Sequence, residues 1–141
     1  MTLLVDTSVW SLALRRDATV SEPEVQHLKD ALLGADVVVT TGLVLQELLQ
    51  GFSGPKARAL IIERFAALPI LQPNREDHVA AAELRNVCRR SGIQIGTIDA
   101  LLAQLCIQHD LTLLSTDNDF KLAARHCALR VWSPKVGARR K

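Results

Sequence analysis

A chain of 141 residues with a formal net charge of +2 is sized for one domain, 1–141, able to bury a core without disulfide or metal staples. Three scattered cysteines (Cys88, Cys106, Cys127) and four histidines without ligand spacing exclude a disulfide framework and a His/Cys zinc centre. No apolar run is long enough to span a bilayer, and Met1-Thr2-Leu3-Leu4-Val5-Asp6 lacks the basic start of a secretion signal, so a cytoplasmic protein without membrane contact is expected.

Residues 2–5 are apolar and end in Asp6, which reads as a buried first strand. A turn and a brief helix carrying Trp10, Leu12 and Leu14 follow. Asp6 has two readings, a cap for that helix and a functional acid at the strand's C-terminal end. Ser21-Glu22-Pro23-Glu24 has the form of a helix start, with Ser21 as cap; Val25, Leu28, Leu32 and Leu33 give that helix an apolar face, and Gly34 ends it. Residues 36–40 are β-branched and apolar, a second buried strand.

Thr40 or Thr41 then caps a helix carrying Leu43, Val44, Leu45, Leu48 and Leu49, closed by Gly51. Glu47 shares a row with Leu43 and Val44, and is either an ordinary exposed glutamate or an acid facing the strand ends. Residues 57–68 form another amphipathic helix, with Leu60, Ile61, Phe65 and Leu68 inward. Residues 69–73 place a short strand between prolines, which marks a sheet edge. Asn74 caps the next helix, which runs to Ser91-Gly92 with Leu84, Val87 and Cys88 inward. Arg85 and Arg89 stand one turn apart on it, either a solvated face or a pair of phosphate-binding forks.

Gly96-Thr97-Ile98-Asp99 opens a helix over 98–108, with Thr97 as its expected cap and Asp99 in the first turn. Residues 111–115 read as a buried strand, with Asp117 just past its end. Thr116-x-x-Asp119 has the form of a capping box. A last strand covers 129–132, and 133–141 reads as a loose tail ending in Arg139-Arg140-Lys141. The alternation predicts an α/β fold, a five-stranded parallel sheet with helices on both faces.

Asp6 and Asp117 then fall at strand C-termini, and Glu47 and Asp99 lie in helices close to the same edge. Like charges ~4–6 Å apart repel by a few kcal/mol per pair at an effective dielectric near 20. Such a cluster persists when a cation neutralises it or when a shifted protonation state is useful. An all-oxygen set suits Mg²⁺, with Mn²⁺ as the other choice, and that chemistry points to phosphodiester hydrolysis.

Leu-Leu-Val-Asp6-Thr-Ser8, the capped helix with Glu47-Leu48, Gly96-Thr97-Ile98-Asp99-Ala100 and Leu-Leu-Ser-Thr116-Asp117-Asn-Asp119-Phe120 together resemble a PIN-domain ribonuclease, specifically the toxin subunit of VapBC toxin–antitoxin systems. The resemblance covers residues 2–132. It implies a three-layer PIN-like fold and an Mg²⁺- or Mn²⁺-dependent endoribonuclease, the toxin of a type II pair. Metal ligation falls to Asp6, Asp99 and Asp117, with Glu47 completing the catalytic set. Ser8, Thr116 and Asp119 are accessory, and Arg85 and Arg89 are RNA contacts to test. The implied products carry 5′-phosphate and 3′-hydroxyl ends. The implied partners are RNA, a cognate VapB-like antitoxin, and a second copy in a homodimer or a toxin–antitoxin hetero-oligomer. Trp10, Leu12 and Leu14 either line the antitoxin groove or pack into the core.

Three other functions fit parts of the pattern. A PIN nuclease of RNA processing without a toxin role keeps every acid. A catalytically idle RNA-binding module keeps only the fold. A phospho-receiver needs an acidic pair after the first strand and a late lysine, whereas Leu4-Val5-Asp6 offers one acid and no lysine follows residues 111–115.

Overall fold

Leu3, Leu4 and Val5 are fully buried, although successive side chains of a strand point to opposite faces. The first strand, β1 (Thr2–Val5), is therefore covered on both sides, the signature of a parallel sheet between helical layers. The computed structural model describes residues 1–15 and 22–134. Among these, β1, β2 (Val37–Thr41), β3 (Ile70–Leu71), β4 (Thr112–Leu114) and β5 (Arg130–Val131) form one sheet in the order β3-β2-β1-β4-β5. Every pairing is parallel: Leu4 stands opposite Val39 on one side and Leu113 on the other. The predicted sheet and its edge strand between Pro69 and Pro73 are both present.

The helices are α1 (Thr7–Leu14), α2 (Pro23–Asp30), α3 (Gly42–Gly51), α4 (Pro55–Ala66), α5 (Arg75–Arg90), α6 (Thr97–Gln108) and α7 (Asn118–Ala123). Helix α1 packs against α2 and α3, and α3 against α4, while α5 and α6 form a pair with α6 against β4. Helix α6 buries Ala100, Leu101, Leu102, Ala103, Leu105 and Cys106, so it is apolar nearly all round. Truncating a fully buried leucine such as Leu4 to alanine would cost about 2–5 kcal/mol, which puts the stability of the domain in its central strands.

Local chemistry explains where the elements stop. Helix α2 runs on into a wider turn, Ala31–Ala35, that ends where Gly34 takes φ +111°, a conformation open to glycine and costly for other residues. Asp36, predicted as the start of the second strand, lies outside it. One of its oxygens pairs with the Met1 amino group at 3.3 Å and the other with His27 Nε2 at 3.5 Å. Thr41, rather than Thr40, caps α3, accepting from the Val44 amide at 3.3 Å. Asn74 and Asp77 cap α5 reciprocally, at 2.8 and 3.0 Å.

Several expected inward residues face out. Val87 and Leu60 are exposed, because Cys88 and Leu84 on α5, and Ile61 and Phe65 on α4, already fill the stripe each helix presents to the core. Thr97 does not cap α6: the N-cap is Gly96, and no side chain accepts there. The Thr116-x-x-Asp119 box is also not formed. Asp117 is the N-cap of α7, its Oδ1 accepting from the Asp119 amide at 2.9 Å. The expected Ser21 cap and the basic end Arg139-Arg140-Lys141 lie outside the described residues. No helix among the described residues is long and apolar enough to cross a membrane.

Candidate active site

Asp6 follows the last residue of β1 and is the N-cap of α1. Its backbone N–H donates to the Leu114 carbonyl at 3.1 Å, tying the end of β1 to the end of β4. The carboxylate is 5% exposed. Its Oδ1 accepts from Ser8 Oγ at 2.6 Å and from the Val9 amide at 3.4 Å, and its Oδ2 accepts from Ser115 Oγ at 2.6 Å. Burial raises its pKa above the ordinary value; the Ser115, Ser8 and Val9 donors pull it back, and the Asp117 charge pushes it up a little further.

The two serines also link the strands to the loop after β4. Ser8 Oγ accepts from the Thr116 amide at 3.1 Å, and Ser115 Oγ accepts from the Asp117 amide at 2.9 Å. Asp117 is thereby held beside Asp6, half-buried. Thr116 enters this network through its backbone alone, with its side chain in solvent. Asp119 is exposed at the rim.

Asp99 lies in the first turn of α6, half-buried. Its pKa is pushed up to about 6, first by burial and then by the charges of Asp117, Asp6, Glu47 and Asp119, in that order. The four sequence-predicted acids and Asp119 thus share one electrostatic neighbourhood. Among the described residues, none of them takes part in an ion pair. Glu47, on α3, is half-buried and is fixed by Thr7, whose Oγ1 donates to its Oε1 at 2.7 Å.

The candidate donor atoms are all carboxylate oxygens, a hard set that fits Mg²⁺ or Mn²⁺ and not a soft metal. Among the described residues, no three acids converge tightly enough to hold an ion as they stand. The donor chemistry and the uncompensated negative charge fit a divalent cation. Cys106, near Asp6 but buried among apolar residues with its thiol pKa raised to about 12, is a core residue and no ligand.

Thr7 and Ser115, whose hydroxyls hold Glu47 and Asp6, were not singled out by sequence reasoning. The available signal was that each candidate acid in Asp6-Thr7-Ser8 and Ser115-Thr116-Asp117 is flanked by hydroxyls. Arg85 and Arg89 differ in their surroundings. Arg85 is half-buried with Nε bonded to the Ile95 carbonyl at 2.8 Å, whereas Arg89 is exposed and bonds Asn86 at 3.3 Å. Trp10 is a core residue, 2% exposed with its ring 4.8 Å from that of Phe65, while Leu14 lines a cavity of about 210 Å³ with Phe52, Lys56, Ala57, Leu60 and Ile61.

Comparison with solved structures places the same fold in bacterial complexes. VapBC-1 from nontypeable Haemophilus influenzae superimposes with a TM-score of 0.72 at 17% identity, covering 94% of this chain and 98% of the other. VapBC2 from Rickettsia felis, solved with a promoter DNA fragment, gives 0.72 at 22% identity over 94% and 98%. VapC20 from Mycobacterium tuberculosis, described as a sarcin–ricin loop cleaving toxin, gives 0.66 at 19% identity over 91% and 98%. No curated protein sequence gives a significant match. The PIN domain profile matches residues 3–126, nearly the whole described chain, and the chain accordingly belongs to the PIN domain family.

Proposed function

We propose that the chain is a divalent-metal-dependent endoribonuclease and the toxin of a type II toxin–antitoxin pair, neutralised by a cognate VapB-like antitoxin. The observation that carries the reading is Asp99: a half-buried acid whose pKa is raised to about 6 by burial and by four neighbouring carboxylates, with no cation from the chain among the described residues to offset them. Membership of the PIN family and the likeness to a toxin described as cleaving the sarcin–ricin loop support the reaction class.

Asp6, Asp99 and Asp117 would hold Mg²⁺ or Mn²⁺, which when bound supplies Lewis acidity toward the scissile phosphate and lowers the pKa of water. The chain's own part is positioning and proton handling. Ser8 and Ser115 offset part of the burial penalty on the Asp6 carboxylate and aim its two oxygens. Thr7 occupies Oε1 of Glu47 and leaves Oε2 to orient the attacking water or accept its proton. Arg89, exposed on α5, is available to backbone phosphates. The products expected are 5′-phosphate and 3′-hydroxyl ends.

The apolar groove of Leu14, Phe52 and Leu60 supports docking of an antitoxin segment. A second apolar stretch around Leu43, Leu101 and the exposed Ile70 and Ile98 supports a second copy of the chain. The test is cleavage of total cellular RNA by the purified protein with Mg²⁺ or Mn²⁺, with EDTA, and with Asp6→Ala. Discrete fragments that need metal and vanish in the variant are expected. Absence of cleavage by folded, antitoxin-free protein in both metals would leave an RNA-binding module.

A further inference from the structure

Helix α6 starts with little local support. Its N-cap, Gly96, has no side chain to accept the first free amides, and the preceding loop turns through Gly92 at φ +79°. Asp99 lies only three residues beyond that cap. A helix start specified so weakly by its own sequence has to be held from elsewhere.

Arg85 does this from the neighbouring helix. Its Nε donates to the Ile95 carbonyl at 2.8 Å, one residue before the cap, and the Ile95 side chain is buried. The donor comes from α5, the helix against which α6 packs. We infer that Arg85 is a positioning residue that fixes the start of α6, and with it the Asp99 carboxylate, through its Nε bond to the Ile95 carbonyl. The inference rests on the proposed metal-binding role of Asp99. Groups hydrogen-bonded directly to metal ligands change metal affinity by about 10–100-fold when removed, and Arg85, acting from four residues away, is expected at the low end of that range.

The competing use of Arg85 is a phosphate contact through its charge, since the side chain also lines a cavity of about 370 Å³ with His78, Asn86 and Thr97. Chain geometry separates the two. The amide nitrogen of glutamine lies the same number of bonds from Cα as arginine Nε. Arg85→Gln therefore keeps the donor and removes the charge. Arg85→Lys keeps the charge and moves the donor one bond outward. Arg85→Met removes both.

The experiment is Mn²⁺ binding by calorimetry without RNA, on wild type and the three variants, with melting temperatures taken alongside. Positioning predicts that Arg85→Gln stays close to wild type, while Arg85→Met and Arg85→Lys bind Mn²⁺ about tenfold or more weakly. The inference is overturned if Arg85→Gln falls and Arg85→Lys does not, or if all variants bind as wild type does. The Gln and Lys variants decide the matter alone should Arg85→Met not fold. If wild type binds no Mn²⁺, the metal-site reading fails by itself, and the hold on α6 is read from exchange of its first hydrogen-bonded amides, 100–103. Protection kept by Arg85→Gln and lost by Arg85→Lys supports it; equal protection in both and in wild type overturns it.

Discussion

Ser115 and Asp6 are 109 residues apart in the chain, yet the hydroxyl of one donates to the carboxylate of the other at 2.6 Å. The same hydroxyl accepts from the Asp117 amide, so one oxygen sets the distance between two candidate metal ligands. Ser115→Ala removes a hydrogen bond to a buried carboxylate, worth about 1.5–3 kcal/mol. Because that bond lowers the Asp6 pKa, its loss moves the pKa further up. The acid limb of the pH–rate profile should shift to higher pH in Ser115→Ala, and a limb at the wild-type position would show that Ser115 does not govern Asp6.

Asp99 makes stability depend on pH with a definite sign. Its folded pKa, about 6, lies above the ordinary 3.8, so the folded state binds the proton more tightly than the unfolded state does. The metal-free protein is therefore helped by low pH and loses that help as pH rises from about 4 through about 6. Asp99→Asn carries no charge at any pH. In EDTA it should melt above wild type at pH 7, and the gap should close toward pH 4, as followed by calorimetric melting. A gap independent of pH would remove Asp99 as its origin.

Thr7→Val takes away the hydrogen bond that fixes Glu47 while keeping the shape of the side chain. If Glu47 orients water, the loss of about 1 kcal/mol of positioning should lower kcat by roughly fivefold and leave RNA affinity unchanged. Single-turnover kinetics alongside RNA binding in EDTA make the comparison. Weaker RNA binding at unchanged kcat would move Thr7 to the substrate surface.

Gly34 gives a stability change with no functional one. It sits at φ +111°, with nothing within 4 Å of where a Cβ would be. Gly34→Ala should therefore destabilise by about 1–2 kcal/mol through backbone strain alone. Urea unfolding measures the loss, and RNA cleavage per folded molecule should match wild type.

The sheet was legible because its strands are short apolar runs bounded by turn residues, and β1 and β2 need no distant information to be recognised. Asp6, Asp99 and Asp117 were legible because they lie just past a strand or in the first turn of a helix, positions that a parallel sheet gathers at one edge; Glu47, in the middle of α3, was legible only through its helix row. What the chain order concealed was the hydroxyl network. Ser115 looks like the last residue of a strand until the pairing of β1 with β4 brings it to Asp6. Arg85 and Arg89 share a helix face by spacing, but the loop after α5 folds back over only one of them. The caps at Thr97 and Thr116 failed for a related reason: Gly96 and Asp117, each one position away, already held the cap site, and local spacing does not resolve one residue of register.

The pairing of His27 with Trp132 has an optical consequence. The two rings stack at 4.4 Å with 18° between their planes, and the chain has no tyrosine and one other tryptophan, Trp10, sealed in the core against Phe65. Intrinsic fluorescence therefore comes from two emitters in opposite surroundings. Trp10 emits as a blue-shifted signal that moves only when the core opens. Trp132, half-buried under the His27 ring, emits a second signal that moves when that stack parts. A denaturant titration of the emission therefore follows the core through one tryptophan and the β5 edge through the other, without a label.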